Sequence, residues 1–185
     1  MNVPSFDPTD AVRFDLPRGS VHTRGDDERV VLVPAAALSA VVASAASVSP
    51  EAVDALGRAL GSALGRRAAI RTGHVEGASP EAFVTQLAGE AAIAGVGVLS
   101  VERWGRAMVV VIEGSPLASA LLAPIVTSAI EAASGRRVWG ALLSRDDRLA
   151  RVFVGSEGAA GRVRAWIASG MAWGDAVVKL HGAGA

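Results

Sequence analysis

The chain of 185 residues contains no cysteine, so disulfides, thiolate zinc sites and a cysteine nucleophile fall outside its chemistry. Histidine, serine and the carboxylates remain. His22, His74 and His181 are far apart, and the tightest pairing with a carboxylate is His74 with Glu76. A metal site would therefore have to be assembled over long range, and none is expected. Serine, histidine and aspartate for a hydrolytic triad are all present, but no serine sits in a nucleophile elbow. No catalytic residue is assigned.

The stretch "VFVGSEGAAGRVR" sets Gly155, Gly158 and Gly161 between a strand and a helix, with Arg162 and Arg164 behind. Backbone amides at a helix start can hold an anion. The spacing fits neither the P-loop nor the dinucleotide fingerprint, and the P-loop lysine is missing, so a plain loop is expected. "RGD" at Arg24 to Asp26 and the pair Asp146 and Asp147 read as turn tips. Trp104, Trp139, Trp166 and Trp173 come without a basic stripe, which points to core or interface rather than base stacking.

Eighteen basic and eighteen acidic side chains cancel, leaving no field to steer the chain onto nucleic acid or an anionic membrane. The opening "MNVPSFDPTD" has no basic segment followed by an apolar run, so the expected compartment is the cytoplasm. From Val30 to Pro50 there is no charge. Pro34, four serines and a composition of alanine and valine weigh against a membrane span, and favour a strand followed by a helix.

These residues are positioned by a recognisable order of elements. Residues 1–18 carry three prolines and read as an irregular arm, with one domain over 19–185. "SVHTRGDDERVVLV" reads as a hairpin and "PAAALSAVVASAAS" as a helix. "SPEAV" at Ser49 and "SPEAF" at Ser79 are helix starts with serine as cap, proline in the first turn and glutamate near the positive end of the dipole. They open helices to about Ile70 and about Ala94. "VGVLSVERW" and "RAMVVVIEG" alternate as strands, the second apolar on both faces and so central. A helix from Ser115 is interrupted or kinked at Pro124 and stopped by Gly135. A second hairpin spans "RRVWGALLS" and "LARVFVGS", followed by a helix from about Ala159 to Ser169 and a tail. Short loops between paired strands make the sheet mostly antiparallel, so the fold class is α+β.

Gly57, Gly61 and Gly65 recur every fourth residue inside a helix, where each costs about 1 kcal/mol relative to alanine. Residues four apart share a face, so the three form a groove that another backbone can approach closely. Two partners fit it: a helix of the same chain, or a second subunit.

The hairpin entry "GSVHTRGDDERVVLVP", the glycine-bearing helix and the long run from "SVERWGRAMVVVIEG" to "RLARVFVGS" resemble the four-vinyl-reductase type ligand-binding domain over residues 18–156, with a C-terminal helix and tail at 157–185. That superfamily, of nitric-oxide signalling and Golgi-transport ligand-binding domains, includes sensor domains of aromatic-responsive bacterial activators and TRAPP tethering subunits. The resemblance implies helices beside an antiparallel sheet, a homodimer formed through helices, and a small apolar ligand. The cysteines of many relatives are absent here, with Ala123, Ala141 and Ala150 in their neighbourhoods, and there is no tyrosine for a haem motif. No cofactor is expected.

The function expected is a non-catalytic homodimeric ligand-binding or scaffold domain, with a small apolar molecule or another protein as further partner. A tetrapyrrole-pathway vinyl reductase is the alternative. The expected ligand site lies between the strand carrying Met108, Val110 and Ile112, the helix carrying Leu121 and Ile125, and the hairpin carrying Trp139, Leu143 and Phe153. The expected dimer interface is the groove of Gly57, Gly61 and Gly65.

Overall fold

A computed structural model describes residues 5–73, 80–105 and 107–182. The fold is α+β, with antiparallel sheets packed against helices. Its centre is a four-stranded sheet in the order β4 (Val98–Trp104), β5 (Ala107–Glu113), β7 (Leu149–Gly155), β6 (Trp139–Arg145). All neighbours run antiparallel. β5 lies inside the sheet, as its two apolar faces require. Val110 and Ile112 pack with Leu121, Leu122, Ile125 and Val126 of helix α4 (Ser119–Ser134) on one side of the sheet. Val109 and Val111 pack on the other side against α5 (Glu157–Ala168) and α6 (Trp173–Gly182), through Ala160, Val163 and Val177.

Helix α1 (Ala35–Ala46) and the long α2 (Pro50–Arg71) precede α3 (Pro80–Ile93). The Ser49 side chain makes no capping bond; its carbonyl instead accepts the amides of Ala52 and Val53, at 3.1 and 3.4 Å. The second expected cap, Ser79, lies outside the described residues. Helix α4 starts four residues later than Ser115. Arg145 donates to the carbonyls of Ser115 and Leu117, which holds that segment extended. The helix continues through Pro124 and ends at Gly135, whose φ of 66° allows its amide to reach the Glu131 carbonyl.

The groove of Gly57, Gly61 and Gly65 is filled by α4 of the same chain, which corrects its reading as a subunit interface. A Cβ on Gly57 would lie 2.7 Å from Cβ of Pro124, and one on Gly61 would lie 2.8 Å from the carbonyl carbon of Ile125. Gly65 faces the backbone of Ala129 in the same way. The glycines let two backbones of one monomer touch.

Residues 1–18 are not an irregular arm throughout. Asp7 caps a 3-10 turn at Pro8–Asp10, and β1 (Val12–Asp15) pairs with β2 (Ser20–Thr23), which pairs with β3 (Arg29–Val30). The alternation of Val12, Arg13, Phe14 and Asp15 is a strand signal overshadowed by the prolines around it. The arm is anchored by Phe6, whose ring occupies the space a side chain on Gly89 would need and lies 5.0 Å under the Arg71 guanidinium.

The tip of the β2–β3 hairpin meets α2 through Arg67, which is 3.7 Å from Asp26 and 3.8 Å from Glu28. Arg67 and Arg71 both donate to the buried Glu90 of α3, at 2.8 and 2.6 Å. Arg71 also donates to the carbonyl of Asp10 at 2.8 Å. Gly158 and Gly161 lie inside α5 rather than in a loop, and α6 occupies most of the expected tail. Among the described residues no helix is long and apolar enough to cross a membrane.

Candidate functional site

Strand β6 is one edge of the large sheet, with α4 on one face and α5 on the other. Where β6 begins, a solvent-open cleft of about 650 Å³ runs between α4, α5 and the junction of α1 and α2. This volume falls within the range of about 300–1,000 Å³ usual for small-molecule pockets. Its apolar lining includes Val53, Ala120, Pro124, Val138 and Trp139. Its charged lining is Asp54, Arg58, Glu131, Arg137, Glu157 and Arg164.

Local sequence explains several of these positions. Val53 and Asp54 sit in the first turns of α2, one inward and one at the rim, because adjacent helical residues point about 100° apart. Gly140 brings β6 close to α4, since a Cβ there would lie 2.7 Å from Cγ2 of Thr127. Glu131, one turn from the end of α4, accepts the amide of Val138 at 3.0 Å and so fixes where β6 enters. Ser156 caps α5 by accepting the amide of Ala159.

Asp54 and Arg58 are four apart on one helix and pair at 2.6 Å. The hydrogen bond from Arg58 to Asp54, opposed by partial burial and reinforced by the charges of Asp54 and Glu131, raises the Arg58 pKa above its ordinary value. Thr127 gives its hydroxyl proton to the carbonyls of its own helix, Ala123 at 2.9 Å and Pro124 at 3.2 Å. The lining thus offers apolar surface and fixed charge, which are the components of a binding site.

The eight residues expected at the ligand site do not surround one space. Val110, Ile112, Leu121 and Ile125 share the core between the sheet and α4, with Met108 packed against it. Leu143 and Phe153 belong to the core on the opposite face. A strand sends neighbouring side chains to opposite faces, so Val152 joins the first core and Phe153 the second. Trp139 is the member of the eight that lines the cleft.

The other motifs serve the fold. Arg24 pairs with Asp10 at 2.7 Å, and Asp26 accepts from the Thr23 hydroxyl at 2.7 Å. Asp146 accepts the amides of Leu149 and Arg148, both at 2.8 Å, which holds its pKa below the ordinary value. His22 is within 3.2 Å of the Asp27 carbonyl and of the Ser20 hydroxyl. His74 and Glu76 lie outside the described residues. The charged lining of the cleft was missed as a group. The i,i+4 spacing of Asp54 and Arg58 was a usable signal, but nothing local brings Arg137 and Arg164 to the same opening.

No family model matches the sequence, and no curated protein does. Among solved structures, the fold is similar to the phenol-bound, phenol-responsive sensory domain of the transcription activator PoxR. The TM-score is 0.61 at 16% identity, over 78% of this chain and 84% of that one. At that identity the likeness concerns the fold: helices and antiparallel sheet in a shared arrangement.

Proposed function

We propose that the protein is a non-catalytic small-molecule-binding domain of the four-vinyl-reductase type, acting as a homodimer and using the cleft at the start of β6 as its ligand site. The observation that carries this reading is the cleft itself: an apolar bed on α2, α4 and β6 beneath a charged rim. Two lines support it. The lining's hydroxyl, on Thr127, is committed to its own helix, and the lining contains no histidine, lysine or tyrosine, three of the usual general acids. The fold is also that of a domain described as phenol-responsive, and such a scaffold fits sensing better than turnover.

The test uses Ala120, which is exposed and lines the cleft. Ala120→Trp fills the opening without touching the core. Native mass spectrometry of the purified chain should show a bound organic mass that the variant lacks, and 8-anilinonaphthalene-1-sulfonate should bind the wild type more tightly than the variant. If both forms are ligand-free and bind the dye equally, the cleft is not a ligand site.

A further inference from the structure

We infer that the cleft selects an amphipathic monoanion, a single carboxylate on an apolar or aromatic body, with Arg137 and Arg164 as the anion's partners. This rests on the ligand-binding reading above and adds the chemical class. The charges of the lining are three arginines and three carboxylates, but they are not equally engaged. Asp54 holds Arg58 at 2.6 Å. Glu131 accepts the Val138 amide at 3.0 Å and adds to the charge around Arg58. Glu157 stands in the first turn of α5, where the helix dipole favours a negative charge.

Arg137 and Arg164 are different. Both are exposed at the cleft, and neither side chain has a hydrogen bond or ion pair to a described residue; the Glu157 side chain has none either, but its charge is favoured by the dipole of α5. They come from separate elements, the segment entering β6 and the middle of α5, so one small anion at the opening can be approached from two sides. Guanidinium groups present planar forks that match a carboxylate. Beside them lie Val138, Trp139 and Pro124, which supply flat apolar surface for the ligand's body.

The carboxylates set the upper limit on ligand charge. A nucleotide or polyphosphate entering the same opening would meet Asp54, Glu131 and Glu157 at close range, and like charges repel. A neutral ligand would leave the two free arginines unused. One negative charge satisfies both conditions.

The experiment is calorimetry on the full chain at neutral pH with three probes: 2-naphthoate, 2-naphthol and ADP. Naphthoate should bind at least tenfold more tightly than naphthol or ADP. Arg137→Gln and Arg164→Gln, both at exposed positions, should each weaken naphthoate about tenfold and leave naphthol unchanged, with circular dichroism confirming that the variants fold. Ala120→Trp should weaken both naphthyl probes. Equal binding of naphthoate and naphthol, both lost in Ala120→Trp, overturns the monoanion assignment while the ligand site stands. Tighter binding of ADP overturns it as well. If neither naphthyl probe binds, or Ala120→Trp changes nothing, the ligand site itself is overturned and its ligand class with it.

Discussion

A methyl group on Gly61 would fall on the backbone of Ile125, 2.8 Å from its carbonyl carbon, and backbone cannot swing aside as a long side chain can. Alanine there gains about 1 kcal/mol of helix propensity, while overpacking costs typically about 1–3 kcal/mol and occasionally more. The close approach wins. Gly61→Ala is therefore expected to lower stability to urea, and Gly61→Leu to do so severely rather than to split a dimer. Gly161, also inside a helix, has nothing within 4 Å of where its Cβ would be. Gly161→Ala should stabilise by about 0.5–1 kcal/mol. Parallel denaturation curves check both, and a gain in stability at both sites would show that helix propensity alone governs them.

The same residues show what was legible. Spacing by four fixed the glycine face, but a face that admits any backbone does not say whose; only the path of α4 decides. In the strands, alternation assigned Val110 and Ile112 to one side correctly. It did not separate Leu143 and Phe153 from them, because the side on which a hairpin presents each residue depends on register. The register of β6 with β7 also shifts between Leu142 and Ser144, a change that no local pattern announces.

At the scale of elements, α2, α3 and the first hairpin are joined by buried charge. Glu90 is 2% exposed and carries both Arg67 and Arg71. Removing one member of a buried ion network leaves the others unpaired in a poor solvent for charge, a loss of about 3–5 kcal/mol. Glu90→Ala is expected to fall in that range by chemical denaturation; a loss below about 1 kcal/mol would mean that water replaces the carboxylate freely. The extents of α2 and α3 were readable from the Pro-Glu pairs that open them and from periodicity, but the network was not, since Arg67 and Glu90 are 23 positions apart.

Asp26 ties the hairpin to the same network. Burial pushes its carboxyl upward, but the Thr23 hydroxyl, the Glu28 amide and the Arg67 charge together pull it below its ordinary value. One carboxylate oxygen accepts no hydrogen bond and faces Arg67 at 3.7 Å. A carboxyl whose folded pKa lies below the unfolded value of about 3.9 contributes stability above that value, and loses it as pH falls through the folded one. Asp26→Asn should thus be less stable than wild type at pH 7, with the gap closing as the pH drops below about 3.9. A gap independent of pH would assign the effect to packing.

On the scale of the whole molecule, the N-terminal sheet stands apart from both cores and has two unlike faces. Arg13, His22 and Arg29 are cross-strand partners on one face, and Phe14, Val21 and Val30 on the other. The apolar row is not part of either core, and Phe14 remains 59% exposed. Beyond it Leu16, Val31, Leu32 and Val33 are exposed as well, whereas contiguous apolar exposure above a few hundred Å² usually marks an interaction surface. The homodimer proposed above predicts a second copy of the chain on this face. An isologous contact sets the same apolar row against itself, β3 ends after two paired residues and so offers an open edge, and a net charge of zero opposes no self-association. A standard interface buries about 800 Å² per partner, which this sheet could approach only by engaging its edge and its face together. The dimer should therefore be sensitive at both. Sedimentation at micromolar concentration is expected to give a dimer for wild type and monomers for Phe14→Asp and Leu32→Asp, with helix content unchanged. A wild type that stays monomeric at high concentration removes the dimer, and a dimer that survives both substitutions places its interface on another surface.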